Sequence, residues 1–448
     1  MMNNELRPYE EMKNSYQDWL AEVPNHWRLA KAKRIFRETS IKDHPNEELL
    51  SATQTRGVIP RKLLETRVVM PMGNFESFKL VKEGNFVISL RSFQGGLEYS
   101  KYHGIVSPAY NVLEEFTGQN RMYFKHLMKS QVFISELQRN VTGIRQGKNI
   151  DVNDFREIIM PIPPRSEQDQ IVRYLDHQLA KINKFIKAKK KLIAVFKEQI
   201  ECYVYGNDAE FSEDINSWET SFPKEWKMIK ASRLTKEKNI KNKGEYELLA
   251  VTQDRGVVFK KDCEQNYVSP AGDLSGLKLV SDGDYVISLR SFQGGIEFSN
   301  IEGIVSPAYN IFSLVNDYES EEYKHYYKQL FKTKAFISLL NTVVSGIRDG
   351  KNINYSDFVK LLLPVPPQNV ANKVYKLSLK IDKMQNEFNA EFALLKEFRD
   401  ALISDVVTGK VDVRNITIEE LEEEIIEDTE LDEDSIDDES LESEDGDE

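Results

Sequence analysis

The chain contains two copies of one long stretch, and this internal repeat limits the possible folds more than any other feature. Residues 86–111 read FVISLRSFQGGLEYSKYHGIVSPAYN, and residues 285–310 read YVISLRSFQGGIEFSNIEGIVSPAYN. The copies stand 199 residues apart, and the earlier segments EVPNHW (22–27) and SFPKEW (221–226) keep the same separation. A constant offset over this distance indicates a duplicated domain. The sequence therefore predicts two similar domains within the 448 residues.

Each copy of the repeated stretch starts as a predicted buried strand and ends on a polar turn. A Gly-containing turn signal precedes an apolar, β-branched run, which then ends in Arg-Ser-Phe-Gln-Gly-Gly. The two glycines leave this turn bare and conformationally free, and arginine and glutamine are the side chains that bind guanine and adenine edges in a bidentate way. The alternative is a β-turn with a structural arginine. The residues expected to contact DNA on these turns are Arg91, Ser92, Gln94, Arg290, Ser291 and Gln293.

A second pair of polar loops recurs at the same offset. LLSATQTRGVIPR (49–61) and LLAVTQDRGVVFK (248–260) each begin like a strand and continue into a polar turn. This pattern places Gln54, Arg56, Gln253 and Arg255 on loops, where binding groups concentrate. An ordinary hairpin tip is the alternative interpretation of each loop.

A third pair of loops carries basic residues. GIRQGKN (143–149) and GIRDGKN (346–352) follow helical stretches predicted at about 123–138 and 322–340. Both loops lack the GxxxxGK[ST] spacing of a nucleotide-binding loop, so we interpret them as loops that hold DNA phosphates. The residues expected to do so are Arg145, Lys148, Asn149, Arg348, Lys351 and Asn352.

Each half of the chain ends in a proline pair and a long helical pattern. After PIPP (161–164) and PVPP (364–367), apolar residues recur at alternating steps of four and three for about four heptads, which predicts a coiled coil. Two such helices in one chain most simply pack on each other. The predicted seams are Ile171, Leu175, Leu179, Ile182, Ile186, Lys189, Ile193, Phe196 and Ile200 in the first helix, and Val370, Val374, Leu377, Ile381, Met384, Phe388, Glu391, Leu395, Phe398 and Leu402 in the second.

Charge is distributed unevenly along the chain. The formal net charge is −13, but residues 419–448 hold 19 Asp and Glu and no Lys or Arg. The rest of the chain therefore carries 60 basic against 54 acidic residues, a mildly basic body compatible with nucleic acid. We expect the acidic segment to be a disordered tail.

Several functional classes are disfavoured by the sequence. Cys202 and Cys263 are the only cysteines, with no Cys/His cluster, so neither a zinc site nor a disulfide framework is expected. No run of about eighteen apolar residues predicts a membrane span, and the first residues lack an apolar signal segment, so we expect a cytoplasmic location. We find no methyltransferase motif, no Walker A loop and no convincing nucleophile–base constellation, so a catalytic role is not expected.

These motifs together resemble the DNA specificity subunits of type I restriction–modification systems. The resemblance is carried by RPYEEMKNS with WLAEVPNHW, by SLRSFQGG with GIVSPAY, by PIPPRSEQ and by LLKEFRDALISDVVTGKVDVR, and it extends to about Arg414. It implies an α+β (mixed α/β) chain with two similar globular target recognition domains, each reading one half of a bipartite DNA sequence. Two long antiparallel coiled-coil helices would separate the domains and give the chain a pseudo-twofold axis.

The resemblance also implies a domain order and a set of partners. The expected segments are recognition domain 1 (1–164), spacer helix 1 (165–206), recognition domain 2 (207–367), spacer helix 2 (368–414) and the acidic tail (415–448). The implied partners are double-stranded DNA, two methyltransferase (M) subunits and the motor–nuclease (R) subunits. S-adenosylmethionine, ATP and magnesium would bind those partner subunits, and none of them this chain.

Two other functional classes remain open from the sequence. A stand-alone DNA-binding regulator would have the same domains without a helical surface for partner subunits, which the long coil disfavours. A DNA-mimic or purely structural protein would act through its acidic tail, which the duplicated basic loops disfavour.

Overall fold

The computed structural model describes residues 6–54, 56–64, 75–90, 92–139, 150–206, 215–241, 243–253, 255–263, 274–289, 291–343 and 353–418. The chain divides into two compact units. The first unit comprises residues 1–188 and 390–448, and the second unit comprises residues 189–389.

The strands are short and are numbered in chain order. In the first unit they are β1 (Met12–Asn14), β2 (Glu22–Pro24), β3 (Arg28–Lys31), β4 (Phe36–Thr39), β5 (Leu50–Thr53), β6 (Gly57–Pro60), β7 (Lys79–Val81), β8 (Phe86–Ile88), β9 (Glu98–Tyr99), β10 (Gly104–Val106), β11 (Asn111–Glu115) and β12 (Ile159–Ile162). In the second unit they are β13 (Lys227–Lys230), β14 (Thr235–Lys238), β15 (Leu249–Thr252), β16 (Gly256–Phe259), β17 (Lys278–Val280), β18 (Tyr285–Ile287), β19 (Glu297–Phe298), β20 (Gly303–Val305), β21 (Asn310–Leu314) and β22 (Leu362–Val365).

The helices include two that are far longer than the rest. They are α1 (Ser92–Gly95), α2 (Arg121–Lys129), α3 (Gln131–Arg139), α4 (Val152–Glu157), α5 (Arg165–Val204), α6 (Ala231–Leu234), α7 (Ser291–Gly294), α8 (Glu321–Leu330), α9 (Lys334–Asn341), α10 (Tyr355–Phe358) and α11 (Gln368–Val407). Short 3₁₀ helices lie at Ala32–Arg34, Arg61–Leu63, Phe75–Ser77, Ile215–Ser221, Lys260–Asp262 and Asn316–Tyr318.

The same sheet is built in each unit. In the first unit a four-stranded antiparallel sheet has the order β4-β11-β8-β9, and β5-β6, β7-β10 and β3-β12 form separate antiparallel pairs. The second unit repeats this with β14-β21-β18-β19 and the pairs β15-β16, β17-β20 and β13-β22. Strands β8 and β18, which the sequence predicts to be buried, have no exposed residue. The predicted pair of similar α+β domains is confirmed.

Each unit takes one half of each long helix. In the first unit Ile171 and Leu175 of α5 share a buried cluster with Leu402 and Val406 of α11. In the second unit Ile200 and Val204 share a cluster with the early α11 residues Ala371, Val374 and Ile381. The beginning of each long helix thus packs beside the end of the other within a unit. Both helices are continuous through 40 residues, as the seam pattern predicts.

The antiparallel direction is also visible in two cation–π contacts of the second unit. Lys373 Nζ lies 5.6 Å from the ring centre of Tyr203, and Lys380 Nζ lies 4.3 Å from that of Phe196. Residue numbers therefore rise along α11 as they fall along α5. In such a contact the aliphatic part of the lysine covers the aromatic ring and the amino group reaches solvent. This arrangement is typical of the edge of a helix–helix interface.

The end of each long helix packs against the first segment of one copy of the repeat. In the first unit a Cβ on Gly409 (φ +78°) would lie 2.3 Å from Pro24 Cδ and 3.0 Å from the Trp27 ring. In the second unit a Cβ on Gly206 (φ +84°) would lie 2.5 Å from Pro223 Cγ. Both positions require glycine, because the backbone is left-handed and the proline ring leaves no space.

A buried tyrosine secures each of these helix ends. The Tyr123 hydroxyl donates to the carbonyl of Val407 at 3.0 Å in the first unit, and the Tyr326 hydroxyl donates to the carbonyl of Val204 at 2.9 Å in the second. Both tyrosines are fully buried. The core of each unit is therefore completed by the last turn of a helix that follows the other copy of the repeat.

The helical stretches predicted at about 123–138 and 322–340 are each formed by two helices, α2 with α3 and α8 with α9. Ser130 and Thr333 are extended, and their hydroxyls donate to the Leu127 and Leu330 carbonyls at 2.7 and 2.9 Å. One expectation about the long helices is wrong in detail. Phe398 is 52% exposed and lies outside the seam. The Arg399 side chain, 15% exposed, takes the inward position instead. A straight helix drifts relative to a strict seven-residue repeat, which accounts for the shift.

Candidate nucleic-acid interface

The two polar loops of the first unit lie side by side. The tip of the β5–β6 hairpin carries Gln54, and α1, the single helical turn that follows β8, carries Gln94. Gln54 Nε2 donates to Gln94 Oε1 at 3.0 Å, which joins the two loops through their side-chain amides. Both loops are thus parts of one polar surface, although 40 residues of chain separate them.

The second unit builds the same arrangement. Gln253 lies at the tip of the β15–β16 hairpin, Gln293 lies on α7, and Gln253 Nε2 approaches Gln293 Oε1 at 3.5 Å. The side chains of Gln253, Arg255 and Gln293 are exposed. The predicted loop positions of Gln54, Arg56, Gln253 and Arg255 are therefore confirmed, and each unit brings its two loops together.

A glycine allows each turn to approach the helix behind it. Gly96 has φ +79°, and a Cβ there would lie 2.1 Å from the Met128 carbonyl oxygen in α2. Gly295 has φ +82° and the same distance to the Phe331 carbonyl. Only glycine permits this backbone conformation at such close range, so the second glycine of each Gly-Gly pair seats the turn on the helix.

Ser92 and Ser291 do not have the location that the sequence predicts for DNA-contacting residues. Both are almost completely buried, with exposures of 0% and 1%. The Ser92 hydroxyl accepts a hydrogen bond from the Ser89 amide at 2.8 Å, and that of Ser291 accepts from the Ser288 amide at 2.9 Å. These hydroxyls close the turn from inside, so we leave both serines out of the DNA-contacting set.

A lysine lies beneath the paired loops of the first unit. Lys129, the last residue of α2, donates to the Gln54 carbonyl at 2.8 Å, the Gly95 carbonyl at 2.9 Å and Glu98 Oε2 at 2.8 Å. The Glu98 side chain is 1% exposed and that of Lys129 is 25% exposed. A cation at the end of a helix also interacts favourably with the helix dipole.

Lys332 in the second unit has the same three partners. It donates to the Gly294 carbonyl at 2.9 Å, to the Gln253 carbonyl at 3.4 Å and to the Glu297 carboxylate, whose side chain is 3% exposed. Sequence analysis missed these lysines and glutamates. A signal for the glutamates was present, because Gly-Gly is followed by an apolar residue and Glu in both copies of the repeat.

Burial raises the pKa of the Glu98 carboxyl to about 7, against the opposing charge and hydrogen bond of Lys129. A carboxylate in a low-dielectric site loses hydration, which disfavours its charged form. Glu98 Oε1 also has no hydrogen-bond partner among the described residues.

Half of the predicted interface falls outside the described residues. These are Arg91 and Arg290 of the turns and the six basic-loop residues Arg145, Lys148, Asn149, Arg348, Lys351 and Asn352. Arg56 is described, and one of its guanidinium nitrogens donates to the Leu63 carbonyl at 3.2 Å.

Other kinds of site find no support in the part of the chain that the structure describes. No group of three or more His, Cys, Asp or Glu side chains there could hold a metal ion. No helix among those residues is both long and apolar enough to cross a membrane. Cys202 and Cys263 are free thiols.

Comparison with known proteins agrees with this geometry. Residues 29–194 match a family model described as the type I restriction modification DNA specificity domain. The fold resembles a chain from work on "complex assembly and conformational transition of the type I R-M system", with a TM-score of 0.52, 14% identity and coverage of 86% of this chain and 98% of that one. A TM-score of 0.52 at 14% identity shows a shared fold.

Two further solved structures are similar at lower scores. The HsdS subunit from Thermoanaerobacter tengcongensis has a TM-score of 0.40 and 15% identity, covering 87% of this chain and 98% of its own. The S subunit of a type I restriction–modification system from M. genitalium has a TM-score of 0.42 and 12% identity, covering 89% and 98%.

Residues 29–194 thus match the type I restriction–modification DNA specificity domain, and the chain shares its fold with one solved chain from a type I system.

The raised pKa of Glu98 predicts a specific pH dependence of stability. The pKa of the Glu98 carboxyl is about 7 in the folded protein, against 4.5 ordinarily, so folding favours its protonated form. The stability that this form contributes is complete below about pH 4.5 and is lost as pH rises through 7. Glu98→Gln is not ionisable. The wild type should therefore lose stability relative to Glu98→Gln as pH rises from about 5 to 8. The difference between their free energies of unfolding should change by up to about 3 kcal/mol in favour of Glu98→Gln.

Urea unfolding across this pH range measures the difference. Glu114→Gln is the control, because it removes a partly exposed carboxylate that pairs with Arg37 at the surface. A constant difference between the wild type and Glu98→Gln at all pH values would show that the Glu98 carboxyl titrates normally.

Proposed function

We propose that the chain is the subunit that gives a type I restriction–modification complex its DNA sequence specificity. Each unit reads one half of a bipartite double-stranded DNA target, and the partner subunits methylate or cleave the DNA. The observation that carries this proposal is the pair of adjoining loops that is built twice, with Gln54 beside Gln94 and Gln253 beside Gln293.

The chemistry of the paired loops suits the reading of bases. A glutamine amide offers one donor and one acceptor, which together match the adenine edge in the major groove. Gln94 and Gln293 are exposed on turns whose backbones are fixed from behind. Arg91 and Arg290 are their proposed neighbours on the same turns, with guanine edges as their proposed partners.

Phosphate contacts are proposed for the basic loops. Arg145, Lys148, Asn149, Arg348, Lys351 and Asn352 supply the groups for this task. Lysine and arginine contacts to phosphates position a protein on the duplex without specifying sequence. In this account the loops near the sheet specify bases and the basic loops supply affinity.

The long helices offer a surface for partner subunits. In the first unit Leu394 and Phe398 are one turn apart on α11 and are 66% and 52% exposed. They therefore lie on the same face of the helix. An open groove of about 540 Å³ lies on the same segment of α11, and its lining includes Ala393 and Ala401 together with the charged residues Lys396, Glu397 and Asp400. Exposed apolar side chains that cluster on one face mark an interaction site.

The second unit also leaves apolar residues of the long helices exposed. Leu192 and Val195 of α5 and Leu379 of α11 are 44%, 49% and 44% exposed. We propose that the methyltransferase subunits cover these faces, one on each unit, and that the motor–nuclease subunits join that assembly. S-adenosylmethionine, ATP and magnesium then belong to the partner subunits, and the complex acts in the cytoplasm. A stand-alone DNA-binding regulator would have no use for apolar faces kept exposed on both helices.

Single glutamine substitutions test the assignment of one half-site to each unit. Gln94→Ala should raise the Kd for the target by about 5- to 150-fold, because a good bidentate base contact is worth about 1–3 kcal/mol. Discrimination should be lost at one half-site only, and Gln293→Ala should cause the same loss at the other. Competition binding with duplexes substituted at each base pair measures both effects. Unchanged discrimination in both variants would exclude the turns from base reading.

A charge placed on the exposed α11 face tests the partner surface. Phe398→Asp should abolish association with the methyltransferase subunit, because a carboxylate cannot be buried in an apolar contact without a partner. Ile41→Asp is the control, since Ile41 is 41% exposed and lies outside the long helices. Sedimentation of the mixed subunits gives the result. Full assembly with Phe398→Asp would place the partner on another surface.

A further inference from the structure

The lysine beneath each loop pair has no donor left for a ligand. A lysine ammonium has three N–H donors. Those of Lys129 go to the Gln54 carbonyl, the Gly95 carbonyl and Glu98, at distances between 2.8 and 2.9 Å. An amino group with all three donors used inside the protein is not available to a DNA phosphate. The positive charge of Lys129 therefore serves contacts inside the protein.

The three partners of Lys129 belong to different pieces of the chain. One carbonyl is at the hairpin tip, the other ends the turn, and the carboxylate begins β9. Lys129 itself ends α2. A single amino group thus holds both loops against a fixed point of the helix and the sheet. Hydrogen bonds to a charged donor are about twice as strong as neutral ones, which makes the junction stiff.

The second unit keeps this junction despite a change in chain length. The repeat offset is 199 residues at Glu98 and Glu297, but 203 at Lys129 and Lys332. The four additional residues fall between β21 and α8, where the 3₁₀ helix Asn316–Tyr318 lies. Lys332 nevertheless binds the Gln253 carbonyl, the Gly294 carbonyl and Glu297. The geometry is retained although the chain between β21 and Lys332 is four residues longer than that between β11 and Lys129.

Some neighbours of these lysines differ between the units. Met128 and Gln131 in the first unit correspond to Phe331 and Lys334 in the second, whereas the lysine, the glutamate and the Gly-Gly pair are identical. Burying a carboxylate is costly even beside a cation, so the pair is a poor device for stability alone. The role of the pair is instead to fix the positions of the two backbone carbonyls that the lysine binds.

We propose that Lys129 and Lys332 are positioning residues that hold the two recognition loops of each unit at a fixed separation. Base reading requires both loops to meet adjacent base pairs at once, so a fixed separation sets the discrimination of the half-site. The proposal rests on the proposed function for the DNA-reading role of the loops. The holding of the loops is a property of the free protein and is measurable without DNA.

The test replaces both members of the pair by apolar residues of similar size. Removing the lysine alone would leave a buried carboxylate without its partner, which can prevent folding. The double variant Lys129→Met with Glu98→Leu avoids this, and Lys332→Met with Glu297→Leu is the matched variant of the second unit. Both are made in the full-length chain.

The first measurement is hydrogen exchange of the backbone amides in the absence of DNA. In the Lys129→Met, Glu98→Leu variant the amides of residues 56–57 and 92–96 should exchange at least about 10-fold faster. The equivalent amides of the second unit should keep their wild-type rates, and the matched variant should give the reverse. Unchanged exchange of these amides in both variants would overturn the proposal.

The second measurement is binding to target duplexes at several salt concentrations, with the methyltransferase subunits present. Discrimination against wrong base pairs should fall at least about 10-fold in one half-site only, with an unchanged slope of log Kd against log salt. A slope reduced by about one would mean that the lysine contacts a phosphate, and would overturn the proposal. Faster exchange with unchanged discrimination would also overturn it.

The two proposals fail in different ways. If Gln94→Ala and Gln293→Ala leave discrimination intact, the turns do not read bases and the proposed function of these loops is wrong. The exchange measurement then still decides whether the lysines hold the loops together.

Discussion

The core of each unit depends on the end of a long helix that follows the other copy of the repeat in the chain. The end of α11 supplies Leu402, Val406 and Val407 to the core of the first unit, and the end of α5 supplies Ile200 and Val204 to that of the second. A glycine in a left-handed conformation then brings each helix end against a Pro-x-x-Trp segment. Neither copy of the repeat completes its own core, so the duplicated halves fold as one chain in which each depends on the other.

Because the helix ends complete the core of each unit, the loops of the sheet are not needed to bury apolar surface and are available for binding. The core of each unit is formed by helices and by the inner strands, while the hairpin tip and the turn after the central strand carry few apolar residues. Such loops would be mobile if only their own backbone held them. The buried lysine behind each pair fixes them to the helix, and the glutamines on the surface keep a defined geometry. Variation of the exposed side chains could then change the sequence read without changing the fold.

Much of this was predictable from the sequence because duplication repeats every signal. The constant offset predicted two domains, and the apolar strand before Arg-Ser-Phe-Gln-Gly-Gly predicted buried β8 and β18. What failed depended on contacts distant in the chain. Ser92 was predicted to contact DNA with its neighbours on the turn, but its hydroxyl closes the turn from inside. The role of Lys129 was invisible, because its partners lie 31 to 75 residues away. Phe398 fits a seven-residue pattern that the real helix does not hold over its whole length.

The central claim is that two equivalent units read two different half-sites. Mapping of methylated bases in DNA modified by the wild-type complex tests it most directly. The account predicts one motif made of two short, unlike halves separated by a gap of unspecified bases, because the loops of the two units differ outside their shared glutamines and arginines, as in QTRGVIPR against QDRGVVFK. Half-sites read from one face of the duplex should be centred about one helical turn, 34–36 Å, or a multiple of it, apart. A single continuous motif, or methylation without sequence preference, would contradict the account.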